Sequence, residues 1–249
     1  LVIGTGDGAV HALGSTGDAE VDVVWTAATD ADTLLAGPLP VIHEMAGWRS
    51  IFVLDGDGRG HLLDAEGAEV GDPLALLGPG AGAPAAPVRV LPAASGQRRL
   101  LLVASDGLRL VTVDADGWVA TDLIWMSRIV GEAEVATLPD GEETRVIVWD
   151  ETGLVGSWRV SAAGAVAESG WPALDTPLAG EPAVADLDGD GRLDVVAVTS
   201  ERILAWDDRG TPLRGYPTRV ANLFPLDEAT TLAGPLAVAD LAGGQGNEL

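Results

Sequence analysis

The chain contains an internal repeat, and this repeat is the feature that most restricts its fold. The segment Leu178–Leu187 (LAGEPAVADL) recurs as Leu232–Leu241 (LAGPLAVADL). A weaker copy lies at Leu35–Glu44, and Glu134–Leu138 is similar to Ala183–Leu187. The copies recur about every fifty residues, a period typical of propellers and repeat arrays. The repeat therefore favours an architecture in which one small structural unit is stacked several times.

Each period contains four short runs of β-type residues separated by Gly- and Asp-rich turns. The second run is the most apolar: Ile51–Leu54, Leu100–Val103, Val146–Trp149 and Val195–Val198. A turn follows the third run, as in Asp64–Gly67, Asp114–Gly117 and Asp207–Gly210. This spacing is typical of β-hairpins, and no long stretch has the helical period. The pattern predicts an all-β fold, a β-propeller of four-stranded antiparallel blades that bury their faces by stacking around an axis.

The blade units can be counted along the chain. Four complete units are predicted, at residues 27–80, 81–127, 128–178 and 179–227. The remaining residues, 232–249 and 1–26, complement each other. When Asp240 is aligned on Asp186, the strand pattern that begins at Leu249 continues at Leu1. Two interpretations follow: a five-bladed ring closed by a shared blade, or part of a larger ring. Since both ends cut through a strand pattern, we expect the chain to be a piece of a longer protein.

The charge balance excludes several classes of partner. The chain has 249 residues, 14 of them basic and all of these Arg, with a formal net charge of −24. Such a surface repels nucleic acid and anionic membranes, and it favours cations and basic partners. No apolar run is long enough to span a membrane. There is no Cys, which rules out disulfides and thiolate metal sites. The absence of Lys suggests the codon usage of a high-GC bacterium.

One loop has the spacing of a calcium site. In Asp186–Asp194 (DLDGDGRLD), carboxylates occupy relative positions 1, 3, 5 and 9, at Asp186, Asp188, Asp190 and Asp194. Gly189 and Gly191 permit tight turns, and Arg192 would contribute its backbone carbonyl. Ca²⁺ takes six to eight oxygen ligands, which an alternating Asp loop can supply. The loop differs from an EF-hand, because strands are predicted on both sides and Ala197 stands where an EF-hand has Glu.

This loop resembles the FG-GAP/VCBS-type repeat of integrin-α-like propellers, whose blades carry a similar Asp-x-Asp-Gly-Asp-Gly-x-x-Asp loop. The flanking residues agree: Pro182–Ala185, Asp194–Val198, Ile203–Asp207 and Gly215–Pro217. One unit matches closely, and the others match mainly in the order of their strands. The resemblance implies a propeller, calcium loops that rigidify blades, and an extracellular, cell-surface or periplasmic location. It does not imply one activity.

The equivalent loops of the other units lack this ligand set. Asp240 and Glu248 remain in the last unit, which leaves a second, weaker cation site open. In the 128–178 unit the matching positions are Thr137, Pro139, Gly141 and Arg145, so we expect a loop of the same length without ligands. One intact site predicts local stabilisation by calcium and not an array of sensors.

Other groups of polar and aromatic residues have structural interpretations. Asp55-Gly-Asp57 is predicted to be a hairpin turn. The three histidines, His11, His43 and His61, are predicted at polar-facing strand positions. Most of the eight Trp are assigned to packing between blades, with Trp48 as the candidate for exposure in a loop.

The sequence therefore predicts a non-enzymatic, calcium-stabilised module that binds a protein or glycan partner in a secreted or surface assembly. The alternative is the propeller domain of an extracellular enzyme, either a polysaccharide lyase or a quinone-dependent dehydrogenase. A lyase needs a base beside a cation, but the chain has no Lys, and its one Tyr lies in a structural ending. The recurrent Trp motifs and basic contacts expected of a quinoprotein are not recognisable.

Overall fold

The computed structural model describes residues 1–15, 21–29, 31–43, 47–78, 82–92, 96–125, 128–141, 143–161, 163–219 and 236. All regular elements in these ranges are β-strands, which confirms the all-β prediction. The same ranges contain no helix long and apolar enough to cross a lipid bilayer. The chain divides into two compact units, Leu1–Arg128 and Ile129–Leu249.

The first unit contains three antiparallel sheets, each ordered along the chain. The first sheet consists of β1 (Val2–Gly4), β2 (Ala9–Ser15) and β3 (Val21–Ala28). The second consists of β4 (Leu34–His43), β5 (Trp48–Asp55), β6 (Arg59–Leu63) and β7 (Leu74–Ala75). The third consists of β8 (Arg89–Pro92), β9 (Arg98–Ala104), β10 (Gly107–Asp114) and β11 (Gly117–Trp125). Trp48 begins β5 and pairs with His43, so placing it in a loop was wrong.

The second unit contains two four-stranded antiparallel sheets, again ordered along the chain. One consists of β12 (Ala133–Asp140), β13 (Glu143–Asp150), β14 (Gly153–Ser161) and β15 (Gly164–Glu168). The other consists of β16 (Ala183–Ala185), β17 (Asp194–Val198), β18 (Arg202–Trp206) and β19 (Thr218–Arg219). Residues 232–249, which would share a blade with 1–26, lie outside the described residues except for Leu236. A shared blade therefore stays a prediction.

The second strand of each four-stranded sheet forms the core. Phe52, Val53 and Leu54 of β5 are buried, as are Val195 and Val196 of β17. Consecutive strand residues point to opposite faces, so burial of neighbours means that both faces are covered. This explains why the second run of each period is continuously apolar instead of alternating.

Three tryptophans join the two sheets of the second unit. Trp149 of β13 stacks on Trp206 of β18 with ring centroids 6.1 Å apart, and Trp171 meets both rings edge-on. All three are buried among Ile147, Val195 and Leu204. Aromatic rings in these arrangements add to the stabilisation from buried area. The packing interpretation of these residues is confirmed.

Asp side chains close the hairpins. Asp55 Oδ1 accepts hydrogen bonds from the backbone N–H groups of Asp57 and Arg59, at 3.0 and 2.8 Å. Asp207 Oδ1 does the same for Arg209 and Thr211, at 2.9 and 2.8 Å. An Asp that accepts from residues two and four positions later stabilises a tight turn. The prediction that Asp55-Gly-Asp57 is a turn is confirmed.

Candidate metal centre

The Asp-rich loop joins β16 to β17 in the second unit. Asp186 directly follows β16, and Asp194 begins β17, where it pairs with Ala185. The ends of the loop are thus fixed by the antiparallel ladder. The sequence places two glycines inside it, and Gly189 and Gly191 have φ values of +76° and +87°. A side chain is strained in this left-handed region, which explains why glycine occupies both positions.

Three of the predicted ligands meet. One carboxylate oxygen from each of Asp186, Asp188 and Asp194 lies within 4.8 Å of the others. Asp190 is not in this group, and its Oδ1 instead accepts the backbone N–H of Arg192 at 2.8 Å. The Arg192 carbonyl stays a predicted ligand. Among the described residues, no other group of three or more acidic or His side chains is arranged in this way.

Backbone N–H groups of the loop hold these carboxylates in place. Asp186 accepts from Gly189 at 2.8 Å and from Gly191 at 2.9 Å, one bond to each oxygen. Asp194 Oδ2 accepts from Leu187 at 2.8 Å, and Asp188 Oδ1 accepts from Asp190 at 3.1 Å. The loop therefore wraps its own backbone around the carboxylates. Local hydrogen bonds within the loop bring their oxygens together.

The electrostatics of the loop favour a cation. Asp194 is 1% exposed. Burial raises the pKa of Asp194 to about 6, and the charges of Asp188 and Asp190 act in the same direction, while the Leu187 N–H opposes them. A carboxylate with a raised pKa lacks sufficient compensation for its negative charge. A divalent cation among these oxygens would provide that compensation, and all the side-chain donors are the hard oxygens that Ca²⁺ prefers.

The structure reveals a buried histidine that the sequence interpretation missed. His61 is 3% exposed. Its Nε2 lies 2.9 Å from Asp55 Oδ2, and its Nδ1 lies 2.7 Å from Glu69 Oε1. The prediction of a polar-facing position was wrong for His61, because β6 is covered on both faces. The sequence does carry a signal for this burial. Leu62 and Leu63 follow His61 directly, and two consecutive apolar residues indicate that both faces of the strand are covered.

Of the other two histidines, the structure describes the side chain of His11 only. His11 Nδ1 lies 2.9 Å from Thr26 Oγ1 of the neighbouring strand. His43 ends β4, and its side chain lies outside the described residues, as do Asp240 and Glu248. The weaker cation site suggested for Asp240 and Glu248 therefore stays a prediction.

Comparisons with known proteins reveal similarity of fold alone. No protein-family model matches the chain, and no curated protein matches it. The solved structure of the Dos1 propeller is similar over 88% of this chain and 56% of its own, with 11% identity and a TM-score of 0.52. The fold is that of a β-propeller.

Two further solved structures are similar to this propeller chain. BBS1N, solved in complex with ARL6DN, matches 84% of this chain and 60% of its own, with 11% identity and a TM-score of 0.49. BamB from Moraxella catarrhalis matches 88% of this chain and 73% of its own, with 15% identity and a TM-score of 0.42. The chain thus spans about 60% of the length of the BBS1N and Dos1 chains.

Proposed function

We propose that this chain is a calcium-stabilised β-propeller module of the FG-GAP/VCBS type, which binds a partner and catalyses no reaction. The proposal rests on one observation: one carboxylate oxygen from each of Asp186, Asp188 and Asp194 lies within 4.8 Å of the others on a single loop. These three side chains would supply the first ligands of the ion. Asp190 and the Arg192 carbonyl would complete its oxygen shell.

The role of the ion follows from the length of the ladder beside it. Strands β16 and β17 share three residue pairs, from Ala183↔Val196 to Ala185↔Asp194. A ladder this short gives little stability by itself. An ion bound across Asp186 and Asp194 would tie the end of β16 to the start of β17. Calcium would therefore stabilise the folded sheet and leave the unfolded chain unaffected.

Two features support a binding role: the packed sheets and the net negative charge of the chain. Sheets packed through buried strands give loops a rigid support, on which binding residues are commonly carried. The net charge of −24 would attract a basic partner. A secreted or surface location in a bacterium belongs to the same proposal, since extracellular calcium modules bind the ion at the high concentrations found there.

A melting experiment tests the calcium centre. We expect EDTA to lower the Tm of the chain and excess Ca²⁺ to restore it, because binding to the folded state alone adds about 2.7 kcal/mol at a hundredfold excess over Kd. Asp188→Ala should abolish the response, since it removes one of the three clustered carboxylates.

The matched control is Asp57→Ala. Asp57 is an exposed Asp in another Asp-Gly turn, and the structure places it outside the cluster. This variant should keep the full response to calcium. A wild-type chain that melts at the same temperature in EDTA and in Ca²⁺ contradicts the calcium proposal.

A further inference from the structure

The buried His61 of β6 lies between two carboxylates. Its Nε2 is 2.9 Å from Asp55 Oδ2, and its Nδ1 is 2.7 Å from Glu69 Oε1. A carboxylate only accepts hydrogen bonds, so each contact needs a proton between its two heavy atoms. A neutral imidazole has one N–H for the two contacts, whereas an imidazolium has two. The site is therefore closed on both sides only when it holds a second proton.

The two carboxylates differ in how firmly they are held. Asp55 is 1% exposed, and its Oδ1 also accepts the N–H groups of Asp57 and Arg59. The Glu69 side chain is 39% exposed, so it can turn towards water. Two unprotonated acceptors at hydrogen-bond distance repel each other. When the second proton leaves, the contact that opens is therefore the one between His61 and Glu69.

The surroundings of His61 leave its charge to these two partners. Among the residues that the structure describes, Asp55 and Glu69 are the side chains bonded to it. Val53, its cross-strand partner, packs against four residues of the first sheet and β4 that do not titrate: Val10, Trp25, Ala27 and Leu34. The other charged residues of β6 and its adjoining turns are Asp57, Arg59, Asp64, Glu66 and Asp72. Four of them are exposed, and Asp64 bonds to the backbone of its own turn.

Glu69 lies where the second sheet is poorly paired. It forms an isolated bridge with Leu63, and the β6–β7 ladder beyond it consists of two residue pairs. Between them, the Val70 N–H donates to the Leu62 carbonyl at 2.7 Å. The bond between Glu69 and His61 thus adds a side-chain link at the point where the backbone ladder is interrupted.

The first sheet contacts the same stretch of chain. Trp25 Nε1 of β3 donates to the Ala65 carbonyl at 2.8 Å, and the Trp25 ring lies against Gly67. We propose that His61 and Glu69 form a pH-sensitive latch, closed while the second proton is present and open once rising pH removes it. Opening would loosen residues 64–70 from β6 and weaken their contact with Trp25. This regulation goes beyond the binding role and does not depend on calcium.

The last sheet contains a similar hairpin without the latch. In both hairpins an Asp accepts from the N–H groups two and four residues later. Pro212 forms an isolated bridge at the position that Glu69 has, and Leu204 stands at the position of His61. Because neither Pro212 nor Leu204 titrates, this hairpin is a matched internal control.

Hydrogen exchange of the full chain in calcium buffer, followed by mass spectrometry, tests the latch. Protection is expressed relative to an unstructured peptide at the same pH. When the pH rises from about 6 to about 9, a histidine ring loses its second proton. We expect residues 64–70 to lose protection about ten- to a hundredfold, the effect of one charge-assisted hydrogen bond. Residues 207–213 should keep theirs.

Glu69→Gln tests the proton itself. A glutamine amide can donate or accept, so it can bond to either form of the ring. This variant should have the same protection of residues 64–70 at both pH values, whereas Glu69→Ala should have the low value at both. Because Glu69 is exposed, both variants should fold.

Three results would overturn the inference. The first is protection of residues 64–70 that does not change with pH in the wild type. The second is an equal fall in residues 207–213. The third is an equal fall in Glu69→Gln, which would assign the pH dependence to another group, since every other group titrates in both chains.

Discussion

The two sheets of the second unit differ in how their first strand connects to their second. Strands β12 and β13 pair through eight residue pairs, up to Asp140↔Glu143 at the tip of the hairpin. Strands β16 and β17 stop pairing at Ala185↔Asp194, and the loop between them folds back on its own carboxylates. The positions matching Asp186 and Asp194 are Thr137 and Arg145, both of which lie in the ladder. The expectation that residues 137–145 form a loop of the same length was therefore wrong.

The difference shows that carboxylates can replace a strand ladder. In the β12–β13 hairpin, the backbone N–H groups of alternate residues bond across to the facing strand. In the Asp-rich loop, Leu187, Gly189 and Gly191 donate to Asp side chains instead. Backbone groups must be satisfied in either case. The Asp loop meets this requirement by concentrating negative charge, which then creates the demand for a cation.

Substitution of Asp194 should destabilise the second unit most strongly. Asp194→Ala removes a calcium ligand and the acceptor for the Leu187 N–H. We expect it to lower the free energy of unfolding in Ca²⁺ by about 3–5 kcal/mol, combining the lost ion with an unsatisfied donor. Chemical denaturation measures this. Asp194→Asn keeps an acceptor oxygen, so it should lose the calcium response but retain the stability seen in EDTA. Equal stability of the two variants in EDTA would contradict the role of the Leu187 bond.

Arg145 occupies, in the β12–β13 hairpin, the position that Asp194 has in the Asp-rich loop. Arg145→Ala removes its ion pair with Glu168 and its contact with the Asp208 carbonyl. We expect a loss of about 1–3 kcal/mol in unfolding free energy with an unchanged response to calcium. The matched control is Arg159→Ala, which removes 3.6 Å pairs of a half-exposed side chain and should cost less than about 1 kcal/mol. A calcium response lost with Arg145 would mean that the two connections are not independent.

A matched pair of glycines gives the smallest effect. Gly141 and Gly191 have φ values of +62° and +87°, and an added Cβ would meet no atom within 4 Å at either. Substitution by Ala should therefore cost about 1 kcal/mol at each position, from backbone strain alone. Gly191→Ala should also weaken calcium binding, whereas Gly141→Ala should not. Calcium titration monitored by Tm distinguishes the two, and equal calcium affinities would show that the loop tolerates the change.

Local patterns made much of the structure predictable. The apolar second runs form buried central strands, and Asp55 forms the turn that its Asp-Gly spacing indicates. Three of the four predicted Asp ligands meet because short-range backbone bonds bring them together. Asp190 was not predictable as the exception. In the folded loop its Oδ1 accepts the Arg192 N–H, and Asp190 is not among the residues whose oxygens lie within 4.8 Å of one another.

The all-β class, the order of strands and the position of the Asp-rich loop can be predicted from the sequence, because each depends on residues close together in the chain. Which polar groups of distant elements contact each other depends on the tertiary structure. Arg145 of β13, for example, reaches the backbone carbonyl of Asp208 in the other sheet of the second unit, 63 residues later in the chain. No periodicity encodes such contacts, since they depend on how strands pair and sheets pack.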